Sequence, residues 1–176
     1  CMGTNYIPTQ HYSLSADITT AETTQLPVSL GIRDFDYARF YKLPMVFRDG
    51  AHSVGFSTTD FWAELPRDAF TRSLLDALLA SNRFADIGYA QDLPDPAIIL
   101  TGEVRKFDEV RATGKWTADC EVRFEMRTRI GDRVLWSETL VSQEPLGSSD
   151  GAGFAEAMSR AVSTIIAEAV SKITAV

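Results

Sequence analysis

The sequence predicts an α+β fold, a two-layer sandwich in which two main helices pack on one face of an antiparallel or mixed β-sheet. Three observations carry that expectation. Over residues 115–127, Trp116, Ala118, Cys120, Val122, Phe124 and Met126 alternate with Lys115, Thr117, Asp119, Glu121, Arg123, Glu125 and Arg127, a period of two that requires a strand with one buried and one wet face. Two other segments repeat apolar residues at helical spacing. One holds Phe70, Leu74, Leu75, Leu78 and Leu79; the other holds Phe154, Met158, Val162, Ile165, Ile166, Ala169 and Ile173. Between these segments lie short alternating stretches punctuated by turn residues, the layout of a sheet whose polar outer face leaves both helices on the same side.

Residues 1 to about 27 contain few large apolar side chains and many Thr, Ser, Asn, Gln and Pro. They read as a tether over 1–27 with one short strand at 11–15, where Tyr12 and Leu14 share a face. Residues 28–176 then form a single α+β domain, beginning with a strand at 28–32 behind Pro27. Residues 45–48 and 53–56 flank Asp49-Gly50, a short-range hairpin signal. Pro66 opens a helix of about fifteen residues, where its missing N–H is no loss. Residues 84–87 read as a short strand, Pro94 and Pro96 mark a loop, and 97–107 form a longer strand with Ile98, Leu100 and Val104 on one face. Gly131-Asp132 turns the chain into a return strand at 134–141. Residues 147–151 supply N-cap candidates for a last helix running from near Ala152 to the C-terminal end.

The 176 residues, 45% apolar and 23% charged, suit one globular domain. Every apolar run falls far short of the ~18 residues of a membrane-spanning helix. Seventeen basic against 24 acidic residues give a formal charge of −7, a field that repels phosphate backbones and argues against nucleic acid as a partner. Residues 101–133 carry eight Lys or Arg and seven Asp or Glu, a net of +1 that leaves −8 on the rest. The two cysteines, Cys1 and Cys120, are too few for a metal framework or a stapled fold.

Catalysis needs convergent groups, and the sequence offers no G-x-S-x-G, H-E-x-x-H, P-loop or G-x-G-x-x-G pattern. Gly151-Ala152-Gly153 fits a flexible helix start. His11 and His52 stand apart from any nucleophile, and Cys120 falls on the apolar side of its strand, which makes it an inert thiol. Asp119, Glu121 and Glu125 alternate with arginines on a wet face, where cross-strand pairing accounts for them. No catalytic residue, metal ligand or cofactor site is therefore assigned, and a non-enzymatic role is expected.

Residues 35–62 are unusually aromatic for loops and edge strands. They form either a satellite core under the loops or a partner surface, for which Tyr41, Met45, Phe47, Phe56 and Trp62 are the candidates. The leading Cys1 before a polar tether is what a mature bacterial lipoprotein presents, its thiol taking a diacylglyceryl group and its amine a third chain.

Several segments in order carry a family resemblance: Cys1 and its tether, Tyr12-Ser13-Leu14-Ser15, residues 28–32, residues 41–48 ending in Met45-Val46-Phe47-Arg48, Trp62-Ala63-Glu64-Leu65-Pro66 before the Leu-rich helix, Phe84-Ala85-Asp86-Ile87, and Arg133-Val134-Leu135-Trp136. In these the chain resembles the ABC-type transport auxiliary lipoproteins, the PqiC-like group that accompanies ABC transporters and MCE-domain lipid-transport proteins. The resemblance implies a non-enzymatic periplasmic accessory component, held to the outer membrane by lipidated Cys1. Its partners would be an ABC permease, an ATPase or an MCE-domain protein, and its cargo lipid or other hydrophobic material. Met2 rather than Asp after Cys1 fits outer-membrane sorting, and Phe47 stands where relatives often carry Tyr. Two rival functions are a free-standing periplasmic module binding a hydrophobic ligand between sheet and helices, and a small hydrolase with dispersed catalytic residues.

Overall fold

The computed structural model describes residues 7–18 and 24–176, so Cys1 and most of the Thr-rich stretch at 19–24 lie outside the described residues. The fold is the α+β sandwich expected, built round one long strand, β7 (Ile98–Ala112). One edge of β7 pairs antiparallel with β8 (Lys115–Thr128), which pairs in turn with β9 (Val134–Pro145). The other edge is shared in succession by three parallel strands. β2 (Leu26–Ile32) takes residues 98–100, β3 (Asp36–Tyr37) takes Glu103 and Val104, and β4 (Pro44–Arg48) takes Glu109 and Val110. Outside β2 lies β6 (Phe84–Tyr89); outside β4 lies β5 (Gly55–Trp62), antiparallel to it, and then β1 (Gln10–Tyr12), parallel to β5.

The helices α1 (Pro66–Ser81) and α2 (Gly151–Thr174) cover the same face of this sheet. Phe107 and Cys120 are cross-strand partners, and Phe124 lies four residues along β8 from Cys120, so all three side chains point the same way. Phe124 meets Phe70 of α1 at 6.2 Å between ring centroids, and Phe107 meets Trp62, which contacts Phe154 of α2 at 5.6 Å. Each large side chain fully buried here contributes about 1.5–3 kcal/mol of hydrophobic stabilisation.

The alternation in β8 translates directly: Ala118, Cys120, Val122, Phe124 and Met126 are buried. All seven residues of the α2 stripe are buried as well, and Asp150 caps the helix by accepting from the Gly153 N–H at 2.8 Å. In α1 the buried stripe is Phe70, Leu74, Ala77 and Leu78; Leu79, expected with them, is 50% exposed because it lies a further 100° round the helix. The strand expected at 11–15 stops at Tyr12. Beyond it the backbone leaves the sheet for α2, where the N–H groups of Ser15 and Asp17 donate to the hydroxyls of Ser159 and Ser163, one helical turn apart. In the hairpin, Ser53 and Val54 belong to a loop over residues 49–54, and the strand continues instead to Trp62.

The long strand β7 carries a bulge. Val104 opposes Val122 and Lys106 opposes Glu121, so Arg105 is an extra residue with no partner. The inward set therefore switches parity, from Ile98, Leu100 and Val104 to Phe107, and the next residue, Asp108, is turned to the face opposite the helices.

Candidate functional site

Asp108 is fully buried on that second face. The Tyr41 hydroxyl donates to its Oδ1 at 2.7 Å and the Arg48 Nε to its Oδ2 at 2.6 Å, while the Phe107 N–H donates to the same tyrosine oxygen. Burial, then the hydrogen bond and charge of Asp108, push the Tyr41 phenol well above its usual value, so it remains a donor. Directly across the β7–β8 ladder stands Asp119, a like charge that would repel Asp108 if either were bare. Its carboxylate accepts instead from Thr117 Oγ1 and Gln143 Nε2, each at 2.7 Å.

On the helix side, β4, β5, β7 and the start of α2 enclose a cleft of about 130 Å³. Phe47 and Gly55 are cross-strand partners, and a Cβ at position 55 would collide with the Phe47 ring, so a glycine is what lets the ring settle there. The Arg111 guanidinium lies over two rings, 3.7 Å from the Phe47 centroid and 4.6 Å from that of Trp116. Its Nε donates to Glu109 Oε1 at 2.6 Å. Glu109 is only 5% exposed, and burial raises its pKa above the ordinary 4.5 against the opposing pull of Arg111.

Two more carboxylates guard the helix start. Asp150 is held below its ordinary pKa by Ser148 and by the Gly153 N–H, and Asp60 lies so close to Gly151 that any side chain there would strike it. The N-terminal end of a helix favours such anions. Met45 and Phe154 line the apolar part of the cleft. Three carboxylates against one guanidinium leave it net acidic, suited to a cationic group carried on an apolar stem.

Among the aromatic candidates, the structure corrects three. Tyr41, Met45 and Trp62 are 1%, 4% and 3% exposed. Trp62 packs between Phe107 and Phe154 of α2, and Tyr41 is drawn in by its hydrogen bond to the buried Asp108. Phe47 is half-buried at the cleft, and Phe56 is exposed on the far face. Cys1 lies outside the described residues. Cys120 is buried at 0% exposure, and burial, followed by the charges of Asp108, Asp119 and Glu121, pushes its thiol well up. His11 stacks on Phe61, with His52 in the 49–54 loop. Among the described residues no group of three His, Cys, Asp or Glu side chains is arranged to hold a metal ion, and no helix is long and apolar enough to cross a membrane.

Sequence reasoning missed Asp108, Glu109 and Arg111. A signal was present: the polar pair Asp108-Glu109 interrupts β7 where a simple alternation calls for one inward apolar residue.

No curated protein matches the chain. Among solved structures it resembles protein XCC0632 from Xanthomonas campestris, with a TM-score of 0.85 and 21% identity over 94% of this chain and 96% of that one. It resembles the hypothetical protein CT253 from Chlamydia trachomatis with a TM-score of 0.57 and 12% identity, over 86% of this chain and 100% of the other. A PelC dodecamer from Paraburkholderia phytofirmans matches with a TM-score of 0.51 and 16% identity, over 87% of this chain and 94% of that one. At these identities the likeness is one of fold. The sequence itself goes further: residues 12–170 match the model for the ABC-type transport auxiliary lipoprotein component, and the chain belongs to that family.

Proposed function

We propose that the protein is a non-enzymatic accessory lipoprotein of an ABC transport system that works with an MCE-domain partner on lipid or other hydrophobic cargo. The observation that carries this reading is the family match over residues 12–170. In the proposal Cys1 is acylated and the residues ahead of β1 tether the folded domain, to which β1 and the start of β2 already belong, to the periplasmic face of the outer membrane. The ABC permease, its ATPase or the MCE protein supplies the protein contact. The acidic cleft beside Phe47, Arg111 and Trp116 is the contact point offered to that partner, since its charge and its apolar wall suit a Lys or Arg side chain. The cleft is under half the ~300 Å³ at which ligand-sized sites begin, so it suits a single side chain rather than a whole hydrophobic ligand.

The test is Cys1→Ala, expressed with its native export signal. Three acyl chains anchor firmly, so after a high-salt wash that removes weak electrostatic binding the variant is expected folded in the soluble envelope fraction, with the parent in the membrane pellet. Unchanged pelleting of the variant would overturn the anchor.

A further inference from the structure

At one end of the sheet face opposite the helices two aromatic rings stand exposed side by side, whereas on β9, across the sheet, Val134 and Val141 are exposed singly. Phe40 and Phe56 are 37% and 46% exposed, with ring centroids 6.4 Å apart, and Leu43 and Val54 add comparable exposure in the same segment. The sequence around them is Arg39-Phe40-Tyr41-Lys42-Leu43, cations interleaved with apolar groups. Residues 37–56 hold three basic residues, Arg39, Lys42 and Arg48, against one acid, Asp49, a net of +2 in a chain of net −7. Arg48 is committed to Asp108. Arg39 and Lys42 are both exposed, and among the described residues neither reaches a carboxylate, whereas most of the other cations do.

The route of the N-terminal segment points to the same place. Because β1 runs parallel to β5 from Gln10 opposite Asp60, the residues before Gln10 head back toward the start of β5, where Phe56 stands. Ile7, on that path, is 68% exposed. It lies six positions after Cys1, at most ~22 Å of extended chain.

We infer that this end of the outer sheet face, centred on Phe40 and Phe56 and flanked by Arg39 and Lys42, docks directly on an anionic phospholipid leaflet. Aromatic side chains lodge at the headgroup level and the two cations meet lipid phosphates. The placement beside the chain start rests on the acylation of Cys1 proposed above; the patch itself does not. Docked this way, the domain turns its helix side and acidic cleft away from a leaflet that would repel them.

The experiment uses the unacylated full chain, Cys1→Ser, so that vesicle binding is read without the anchor. It is floated with vesicles of phosphatidylethanolamine containing about one quarter phosphatidylglycerol, and with vesicles of phosphatidylcholine alone. Binding to the anionic vesicles is expected, falling as salt rises, with little to the neutral ones. Phe40→Ser with Phe56→Ser should weaken it at least ~10-fold, and Arg39→Ala with Lys42→Ala by roughly 5-fold per cation. Leu79→Ser, which removes an equally exposed leucine from α1, should leave it unchanged. Circular dichroism verifies that each variant is folded. Absence of binding to anionic vesicles would overturn the inference and assign the face to a protein partner; so would equal loss from Leu79→Ser. Palmitate labelling of the unsubstituted chain at Cys1 reports on the anchor separately, so either idea can fail alone.

Discussion

On the helix-covered face, Phe107, Cys120 and Phe124 of the sheet meet Trp62, Phe70 and Phe154 in an apolar layer. On the opposite face, Tyr41 and Arg48 are gathered round one buried carboxylate, Asp108, and only two strands away Phe40 and Phe56 are left in solvent. The first layer is held by area removed from water, which is non-directional and tolerant of exchange between similar shapes. The second is held by a few directed bonds to a charge that has no other source of solvation, so it is specific and intolerant. One strand, β7, serves both layers because the bulge at Arg105 lets it present Phe107 to one and Asp108 to the other.

That contrast is broken most severely by removing apolar volume. Trp62→Ala deletes the ring that links Phe107 to Phe154, and about 3–5 kcal/mol of unfolding free energy is expected to go. Chemical denaturation measures it; a change under ~1 kcal/mol would return Trp62 to the surface. Asp108→Asn tests the polar layer with little change in shape. It leaves the Arg48 cation without its anion and weakens the acceptor for Tyr41, so a loss of about 2–3 kcal/mol is expected. Adding Arg48→Met should recover part of that loss, since the uncompensated cation goes with it.

The smallest effect concerns Glu109, which lies on the helix-side face yet carries a charge. Its pKa in the folded chain lies above the ordinary 4.5, chiefly through burial. Between those two values the folded chain keeps a proton that the unfolded chain gives up. Its contribution to stability therefore falls as pH rises through that window. Glu109→Gln removes this term, so the variant is expected to gain stability relative to the parent as pH rises from 4.5 toward neutrality. Denaturant unfolding of both proteins across that range checks the sign; a parent that gains on the variant would show that the Arg111 pairing outweighs burial.

These differences also set how much could be read from the chain alone. In β8 one face is buried and the other wet, so a period of two marks every inward residue, and α2 does the same at helical spacing. The residues from 35 to 62 lack such a period because β4 is covered on most of both faces and the β4–β5 pairing shifts register, so that Trp62 faces the helices while Phe56 faces the other way. Aromatic content there is equally consistent with a surface and with two thin cores, and only the tertiary pairing of Tyr41 with Asp108 decides. The acidic cleft was legible only in fragments. Glu109, Arg111 and Trp116 lie within eight residues of sequence, but Asp60 and Asp150 join them through the β4–β5 pairing and the seating of α2.

Affinity purification of the full, signal-bearing protein from detergent-solubilised native envelopes reads whether the protein works in association with a transporter. Mass spectrometry of the eluate is expected to recover an ABC permease, its ATPase or an MCE-domain protein, and to lose that partner with Glu109→Lys at the cleft. A protein that elutes folded, monodisperse and alone would contradict the accessory role.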